Sequence, residues 1–188
     1  DTKFSRGKKE EIIELLKNNQ LHSYRELREI EPMLQKSIQK GDIELIKIYL
    51  SETIKNKTGD LTFKIDKTNK TASLYKINNL KNDDDFIIPR TFKHETEEYL
   101  ITSICYAPDL SFKRIKFDAN SSIHTIYPNS FLSSHIKEIY IPPSVLKICE
   151  GAFSQCQKLL KIIIPTNSNI RKIEKNAFTE TKIEEIYF

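Results

Sequence analysis

Apolar residues in the second half of the chain recur at a fixed spacing, with polar residues between them. The unit reads apolar-x-x-Ile, then in most copies a Phe five residues after that Ile, and then apolar-x-x-Ile-x-apolar. Four copies begin at Ile101, Ile123, Val145 and Ile170, so the pattern recurs every 22 to 25 residues. A unit of this size cannot bury its apolar face alone and must stack on its neighbours. The pattern therefore predicts a repeat protein whose successive copies share one core.

Side chains alternate between the two faces of a strand, and this alternation separates core from surface in each copy. Ile139 and Ile141 are predicted to point inward, so the residue between them must point outward. The alignment of the copies also predicts that Phe131, Phe153 and Phe178 stack along the core. The outward positions form one column across the predicted sheet, which we name the exposed column: Ile87, Lys116, Tyr140, Ile163 and Tyr187.

The exposed column is the predicted partner-binding surface, because a row of exposed Ile and Tyr side chains costs solubility unless a partner covers it. An alternative role is stabilisation of the sheet itself, since cross-strand contacts contribute about 0.2–1 kcal/mol per pair. Beside the column, the charges at Arg114, Glu138, Lys161 and Glu185 alternate in sign. They predict a surface ion ladder that helps to fix the strand register, with at most about 1 kcal/mol from each pair.

Residues 1–59 lack the repeat and have the pattern of helices. The apolar positions within residues 12–16 follow i, i+3, i+4 spacing, which predicts one amphipathic helix. Ser23 and Glu26 have the spacing of a capping box and predict a second, short helix. We therefore assign residues 1–59 to a helical cap region and residues 60–188 to a second domain.

Two further helices are predicted to form an antiparallel pair within this region. Pro32 suits the first turn of one helix, Gly41 is predicted to close that helix, and Asp42 is predicted to cap the next, which extends to Leu50. The stretch resembles a single ankyrin repeat in its proline start, its central glycine and its apolar-Lys-apolar second helix. Two interpretations remain open: a hairpin packed against the end of the repeats, or the last unit of an ankyrin array that begins upstream.

A β-hairpin and an incomplete repeat are predicted before the four copies. Residues 61–65 and 71–75 alternate around a polar turn, which predicts a hairpin that begins the sheet. Residues 86–89 repeat the strand ending seen at residues 139–142 and predict an opening repeat. Residues 81–85 contain three contiguous Asp residues, which we interpret as a solvated loop because they lack the alternating ligands and central Gly of a calcium site.

The third copy contains the most specific motif. Residues 148–156 read Ile-Cys-Glu-Gly-Ala-Phe-Ser-Gln-Cys, and residues 162–165 read Ile-Ile-Ile-Pro. Together they resemble the BspA-like leucine-rich repeat family, over about residues 86–188. The hairpin and its Ile-Pro-Arg opening also resemble the expanded leucine-rich repeat families of trichomonad protists, many of them described as surface antigens.

This resemblance implies a right-handed parallel solenoid whose repeats recognise proteins or surfaces and have no catalytic residues. The predicted fold class is therefore α+β: an N-terminal helical segment followed by a right-handed parallel β solenoid of leucine-rich repeats. We expect the array to be truncated at its C-terminal end, because a last strand at Phe188 would leave a sheet edge unpaired.

Composition and motifs limit the function without identifying it. The 188 residues include 30 Lys and Arg against 26 Asp and Glu, mixed along the chain, and this balance does not favour a nucleic-acid partner. No apolar run approaches the roughly 20 residues that cross a bilayer. The sequence has no short metal-ligand spacing, phosphate-binding loop or nucleophile elbow. We predict no enzyme activity, no cofactor and no metal.

The three cysteines are predicted to be reduced and mostly buried. Cys105 and Cys149 follow equivalent Ile residues two rungs apart, about twice the 4.8 Å rung spacing, which is too far for a disulfide. Cys156 fills a small apolar slot after Phe153. Reduced thiols and the lack of a leader favour a cytoplasmic or cytoskeletal location, whereas the family resemblance implies the cell surface.

The resulting functional prediction is a non-catalytic protein–protein interaction module of the leucine-rich repeat type, with a protein partner. Two alternatives remain open. One is a structural scaffold within a cytoskeletal or axonemal assembly, in which the chain is part of a larger structure. The other is a cell-surface adhesin, which follows only from the family resemblance.

Overall fold

The computed structural model describes residues 5–19, 32–55, 60–77, 85–105 and 112–187. The chain divides into two units, Asp1–Glu52 and Thr53–Phe188. Several predictions lie outside the described residues: the capping box of Ser23 and Glu26, the polar positions 81–84, and the strand end at Phe188.

The first unit contains three described helices. They are α1 (Arg6–Asn18), α2 (Pro32–Lys40) and α3 (Ile43–Leu50). Ile12 and Leu16 are buried on α1, as the predicted apolar stripe requires. Helix does not continue to residue 59 as predicted, because Glu52–Lys55 is a strand.

The boundary between α2 and α3 has the predicted caps. Gly41 has a φ of 64°, and its N–H donates to the carbonyl of Ile38 at 3.0 Å. Asp42 accepts a hydrogen bond from the backbone N–H of Leu45 at 3.1 Å. Both caps are therefore confirmed: glycine adopts the left-handed conformation at low cost, and the carboxylate satisfies an open helical amide.

The described strands form two sheets. Sheet 1 contains β1 (Glu52–Lys55), β2 (Leu61–Asp66), β3 (Thr71–Ile77), β5 (Thr91–His94), β6 (Glu97–Ile104), β8 (Thr125–Ile126), β10 (Lys147–Ile148) and β12 (Lys172–Ile173). Sheet 2 contains β4 (Asp85–Ile88), β7 (Arg114–Phe117), β9 (Glu138–Tyr140), β11 (Lys161–Ile163) and β13 (Glu185–Tyr187). The order in sheet 1 is β1-β2-β3-β6-β8-β10-β12 with β5 on β6, and sheet 2 runs β4-β7-β9-β11-β13.

Strand direction separates the start of the second unit from the repeats. β2 and β3 form the predicted antiparallel hairpin, and β5 and β6 form a second antiparallel pair that was not predicted. In the hairpin turn, Asp66 accepts hydrogen bonds from Asn69 and Thr68, which hold the pKa of this carboxyl below its usual value. From β6 onward sheet 1 is parallel, and all of sheet 2 is parallel.

The core of the second unit lies between the strands that each repeat contributes to the two sheets. Ile126 and Ile148 of sheet 1 and Ile139 of sheet 2 have no exposed surface. The predicted Phe stack is confirmed. Its ring centroids are 5.0 Å apart between Phe131 and Phe153 and 5.1 Å apart between Phe153 and Phe178, with interplanar angles of 12° and 2°.

Residues in the left-handed backbone conformation flank each Phe of the stack. The residue two positions before Phe has a positive φ in each copy: 58° at Asn129, 66° at Gly151 and 59° at Asn176. The residue two positions after Phe also has one, at Ser133, Gln155 and Glu180. These residues turn the chain into and out of the Phe segment.

Replacing Gly151 with alanine is expected to destabilise the second unit by about 1–2 kcal/mol, because an L-residue pays that cost in the left-handed region. The added Cβ would also lie 2.5 Å from Oδ1 of Asn129, whose side chain would have to move. Chemical denaturation measures the loss. Gly7→Ala is the matched control: its Cβ meets nothing within 4 Å, and alanine favours the helix. Equal stability of Gly151→Ala and the wild type would contradict the required conformation.

All three cysteines are buried thiols, as predicted. The Cys156 thiol donates to the carbonyl oxygen of Phe131 at 3.0 Å, and burial raises its pKa to about 12. Since the thiolate is the reactive form, the raised pKa keeps Cys156 in the unreactive thiol form at pH 8. We expect iodoacetamide to label none of the three cysteines in the folded protein and all three in denaturant, as counted by mass spectrometry. Rapid labelling of Cys156 in the folded protein would contradict its placement.

Candidate protein-binding surface

The exposed column lies on sheet 2, where parallel pairing brings its members side by side. Ile87 pairs with Lys116 between β4 and β7. Ile163 pairs with Tyr140 on one side and with Tyr187 on the other. Between β7 and β9, Ile115 pairs with Ile139, and this register places Lys116 beside Tyr140. The structure therefore brings all five predicted residues together in one row across five strands.

The apolar members of the column are largely open to solvent. Ile87 is 58% exposed, Tyr187 47% and Tyr140 36%. Lys116 is also exposed, whereas Ile163 is half-buried between the two tyrosines. Large apolar side chains in this number are unusual on one face of a small sheet, and exposed Tyr is enriched where proteins contact each other. The binding role itself remains a prediction.

Asp85 organises the β4 end of this surface. Its carboxylate oxygens accept from Arg114 Nε and Lys116 Nζ, each at 2.5 Å. The two cations hold the pKa of Asp85 below its usual value. The interpretation of residues 81–85 as a solvated loop is therefore wrong at Asp85, which is the first residue of β4 and a partner of β7.

We expect Asp85→Asn to lower the melting temperature at pH 7 by releasing Arg114 and Lys116. The lowered pKa of Asp85 means that its contribution is fully present above the unfolded value of 3.8 and is lost as the pH falls through the folded value. The difference between wild type and variant should thus shrink below about pH 4. A difference that is unchanged from pH 7 to pH 3 would contradict the ion pairs.

Two side chains hold Tyr187 at the other end of the column. Its hydroxyl donates to Glu185 Oε2 at 2.8 Å, which raises the pKa of Tyr187, and Lys161 Nζ lies 4.5 Å from its ring centroid. The predicted register of the charged ladder is confirmed, since Glu138 pairs with both Arg114 and Lys161. Three ladder residues also contact residues outside the predicted ladder. Arg114 contacts Asp85, and both Lys161 and Glu185 contact Tyr187.

A shallow depression of about 330 Å³ opens on the column between β7, β9 and β11. Its lining residues combine two cations, one anion and four largely apolar residues: Arg114, Ile115, Lys116, Phe117, Glu138, Tyr140 and Ile163. Three of the five column residues thus border one concavity. The sequence pattern identified the column and Arg114 beside it but not this concavity, because Phe117 joins its lining only through the fold.

Other kinds of site are not evident in the described parts of the chain. No group of three or more His, Cys, Asp or Glu side chains there is arranged to hold a metal ion. Among the described helices, none has the length and apolar character needed to cross a membrane.

Residues 99–188 match, in six copies, the family model described as BspA type leucine rich repeat region. No curated protein matches the sequence. The matched residues are thus leucine-rich repeats of the BspA type, as the motif at residues 148–156 predicts. The ankyrin-like and trichomonad resemblances remain predictions.

Three solved structures are similar to part of this chain. The pneumococcal vaccine antigen PcpA is 16% identical with a TM-score of 0.49; the match covers 72% of this chain and 49% of that chain. A leucine rich cell surface protein from Faecalibacterium prausnitzii is 19% identical, with a TM-score of 0.36 and coverages of 72% and 50%. A leucine-rich repeat protein from Bacteroides capillosus is 19% identical, with a TM-score of 0.41 and coverages of 72% and 96%. The present chain thus spans about half the length of the first two proteins.

Proposed function

We propose that the unit containing the leucine-rich repeats of residues 99–188 is a non-catalytic protein-interaction module, and that the exposed column is its contact surface. The observation that carries the proposal is the in-register row of exposed Ile and Tyr side chains across sheet 2. A partner that covers these side chains removes their apolar surface from water, which contributes a favourable free energy of association.

Several contacts restrain the column in the unbound protein. Its backbone lies in parallel strands, and the fully buried Phe131 and Phe153 lie in the core of the same unit. Asp85 fixes Lys116 at one end, and Glu185 and Lys161 fix Tyr187 at the other. Side chains that are already ordered lose less entropy on association, so this arrangement favours binding.

The charges around the column indicate the chemistry of the partner. Arg114, Lys116 and Lys161 are balanced by Asp85, Glu138 and Glu185, so the surface does not select a strongly charged polymer. Tyr and Arg are the residue types that most often dominate binding energy at protein interfaces. We therefore expect a protein partner that presents apolar side chains among groups of both charges.

Photo-cross-linking in the source cells tests the proposal and captures whichever protein contacts the column. A benzoylphenylalanine at position 140 of the full-length protein is expected to form an adduct with a discrete protein. The same residue at position 173, an exposed Ile on β12 of sheet 1, is the matched control and should not form that adduct. Identical adducts from both positions, or none from position 140, would overturn the proposal.

The finer architecture is also proposed. Successive copies contribute parallel strands to each sheet, and connections between parallel strands are right-handed in about 98% of cases. These two points support a right-handed solenoid over the repeats. A crystal structure of the full chain would test it, and a left-handed connection would contradict it.

The cellular location of the full-length protein distinguishes an adhesin from a scaffold. Enzymatic release of the full-length protein with other surface proteins would reject the scaffold. Retention in a detergent-resistant cytoskeleton would reject the adhesin.

A further inference from the structure

A second, polar depression lies away from the exposed column, on the segments that lead from the Phe stack into sheet 2. It has a volume of about 450 Å³, within the range of roughly 300–1,000 Å³ that is usual for small-ligand sites. All six of its lining side chains are polar, and none is a carboxylate: Ser133, His135, Gln155, Gln157, Lys158 and Lys182.

Three of these residues occupy one position in three successive repeats. His135, Lys158 and Lys182 each stand immediately before an inward apolar residue of their copy. Successive rungs are about 4.8 Å apart, so the three side chains form a column of hydrogen-bond donors. All three are exposed.

Backbone hydrogen bonds between successive repeats hold the segments before and after His135, Lys158 and Lys182. The N–H of Ser133 donates to Ser154 at 3.0 Å, and the N–H of Gln155 donates to Thr179 at 2.8 Å. Further along the chain, after Lys158, the N–H of Leu160 donates to the carbonyl of Lys137 at 2.9 Å. The spacing of the donors is therefore set by the fold before a ligand binds.

Elsewhere in this unit, neighbouring cations share a carboxylate. Asp85 lies between Arg114 and Lys116, and Glu174 accepts from Lys147 at 3.1 Å and from Lys172 at 3.0 Å. Lys158 and Lys182 have no such partner in the described part of the chain. Lys158 and Lys182 stand at the same position of successive repeats, so one oxyanion between them would be shared as Asp85 is shared by Arg114 and Lys116.

The amides in the depression add further donors. Ser133 Oγ donates to Gln155 Oε1 at 3.0 Å, and this bond directs the Nε2 group of Gln155 to other acceptors. Gln157 contributes a second amide, which can donate to and accept from a hydroxyl group. An apolar anchor for a peptide side chain is missing from the lining.

We propose that this depression binds an acidic saccharide, with a sulfate or carboxylate group between Lys158 and Lys182 and sugar hydroxyls against the two glutamines. An oxyanion accepts hydrogen bonds and does not donate them, which matches a site that presents ammonium and amide donors. The site is separate from the exposed column and does not depend on the function proposed for that surface.

Calorimetric titration of the full chain with defined probes tests this proposal. We expect binding of a sulfated heparin disaccharide, or of its desulfated, carboxylate-bearing counterpart, and no binding of neutral cellobiose. Binding of the sulfated form alone identifies sulfate as the recognised group, and equal binding of both acidic forms identifies the carboxylate. Lys158→Gln/Lys182→Gln should weaken binding at least tenfold without changing the melting temperature of the unliganded protein.

The matched control is Lys76→Gln/Lys93→Gln, which removes the same charge from two exposed lysines on β3 and β5. This variant should bind like the wild type. The proposal is overturned by equal weakening in both double variants, by inorganic sulfate that binds as tightly as the disaccharide, by equal binding of cellobiose, or by no binding of either acidic probe at millimolar concentration.

Discussion

Phe153→Ala is expected to lower the free energy of unfolding of the second unit by about 3–5 kcal/mol. Phe153 is completely buried and is the middle ring of the stack, in contact with Phe131 and Phe178. Truncation removes its apolar contacts and leaves a cavity that the neighbouring strands of both sheets cannot close. Since domains have only about 5–15 kcal/mol of stability, this loss is large.

Phe153→Leu distinguishes the stability that comes from side-chain volume from the stability that comes from aromatic contacts. Leucine fills most of the space, so we expect a loss of about 0.5–1.5 kcal/mol, the usual worth of aromatic pairing. Urea denaturation followed by circular dichroism measures both variants. A loss below about 1 kcal/mol for Phe153→Ala would contradict a core built on the Phe stack.

The sequence predicted the core and the exposed column because both depend on strict local periodicity. The alternation around Ile139 sets which side chains face inward, and this rule needs no knowledge of the surrounding fold. Phe131 and Phe153 could likewise be assigned to the core from their constant offset within the repeat. Parallel stacking then brings equivalent positions into one row, so a column in the alignment becomes a column in space.

The features that the sequence did not predict depend on contacts between distant residues or on unusual backbone conformations. Asp85 looked like part of an acidic loop, and only the pairing of β4 with β7 brings it to Arg114 and Lys116. The left-handed conformation at Gln155 has no compositional signal, because glutamine rarely adopts it. The polar depression had a usable signal in Lys158 and Lys182, which occupy the same position in successive repeats.

Tyr140→Ser/Tyr187→Ser is expected to weaken binding of the protein identified by cross-linking by about tenfold or more. Tyr is enriched among the hot-spot residues whose truncation costs about 2 kcal/mol or more, and about 1.4 kcal/mol corresponds to a factor of ten, so one hot-spot ring of the two already gives this loss. Both rings are exposed in the unbound protein, so the variant should keep its fold. If the column only stabilises the sheet, the variant will melt at a lower temperature and bind normally.

The most direct test of the account is therefore the affinity of that partner for three proteins: wild type, Tyr140→Ser/Tyr187→Ser, and Ile13→Ser/Ile173→Ser. The last variant removes two exposed apolar side chains that are not part of sheet 2, one on α1 and one on β12 of sheet 1. We expect about tenfold weaker binding, or a larger loss, by the tyrosine variant alone. Wild-type affinity in a folded tyrosine variant would contradict the exposed column as the binding surface.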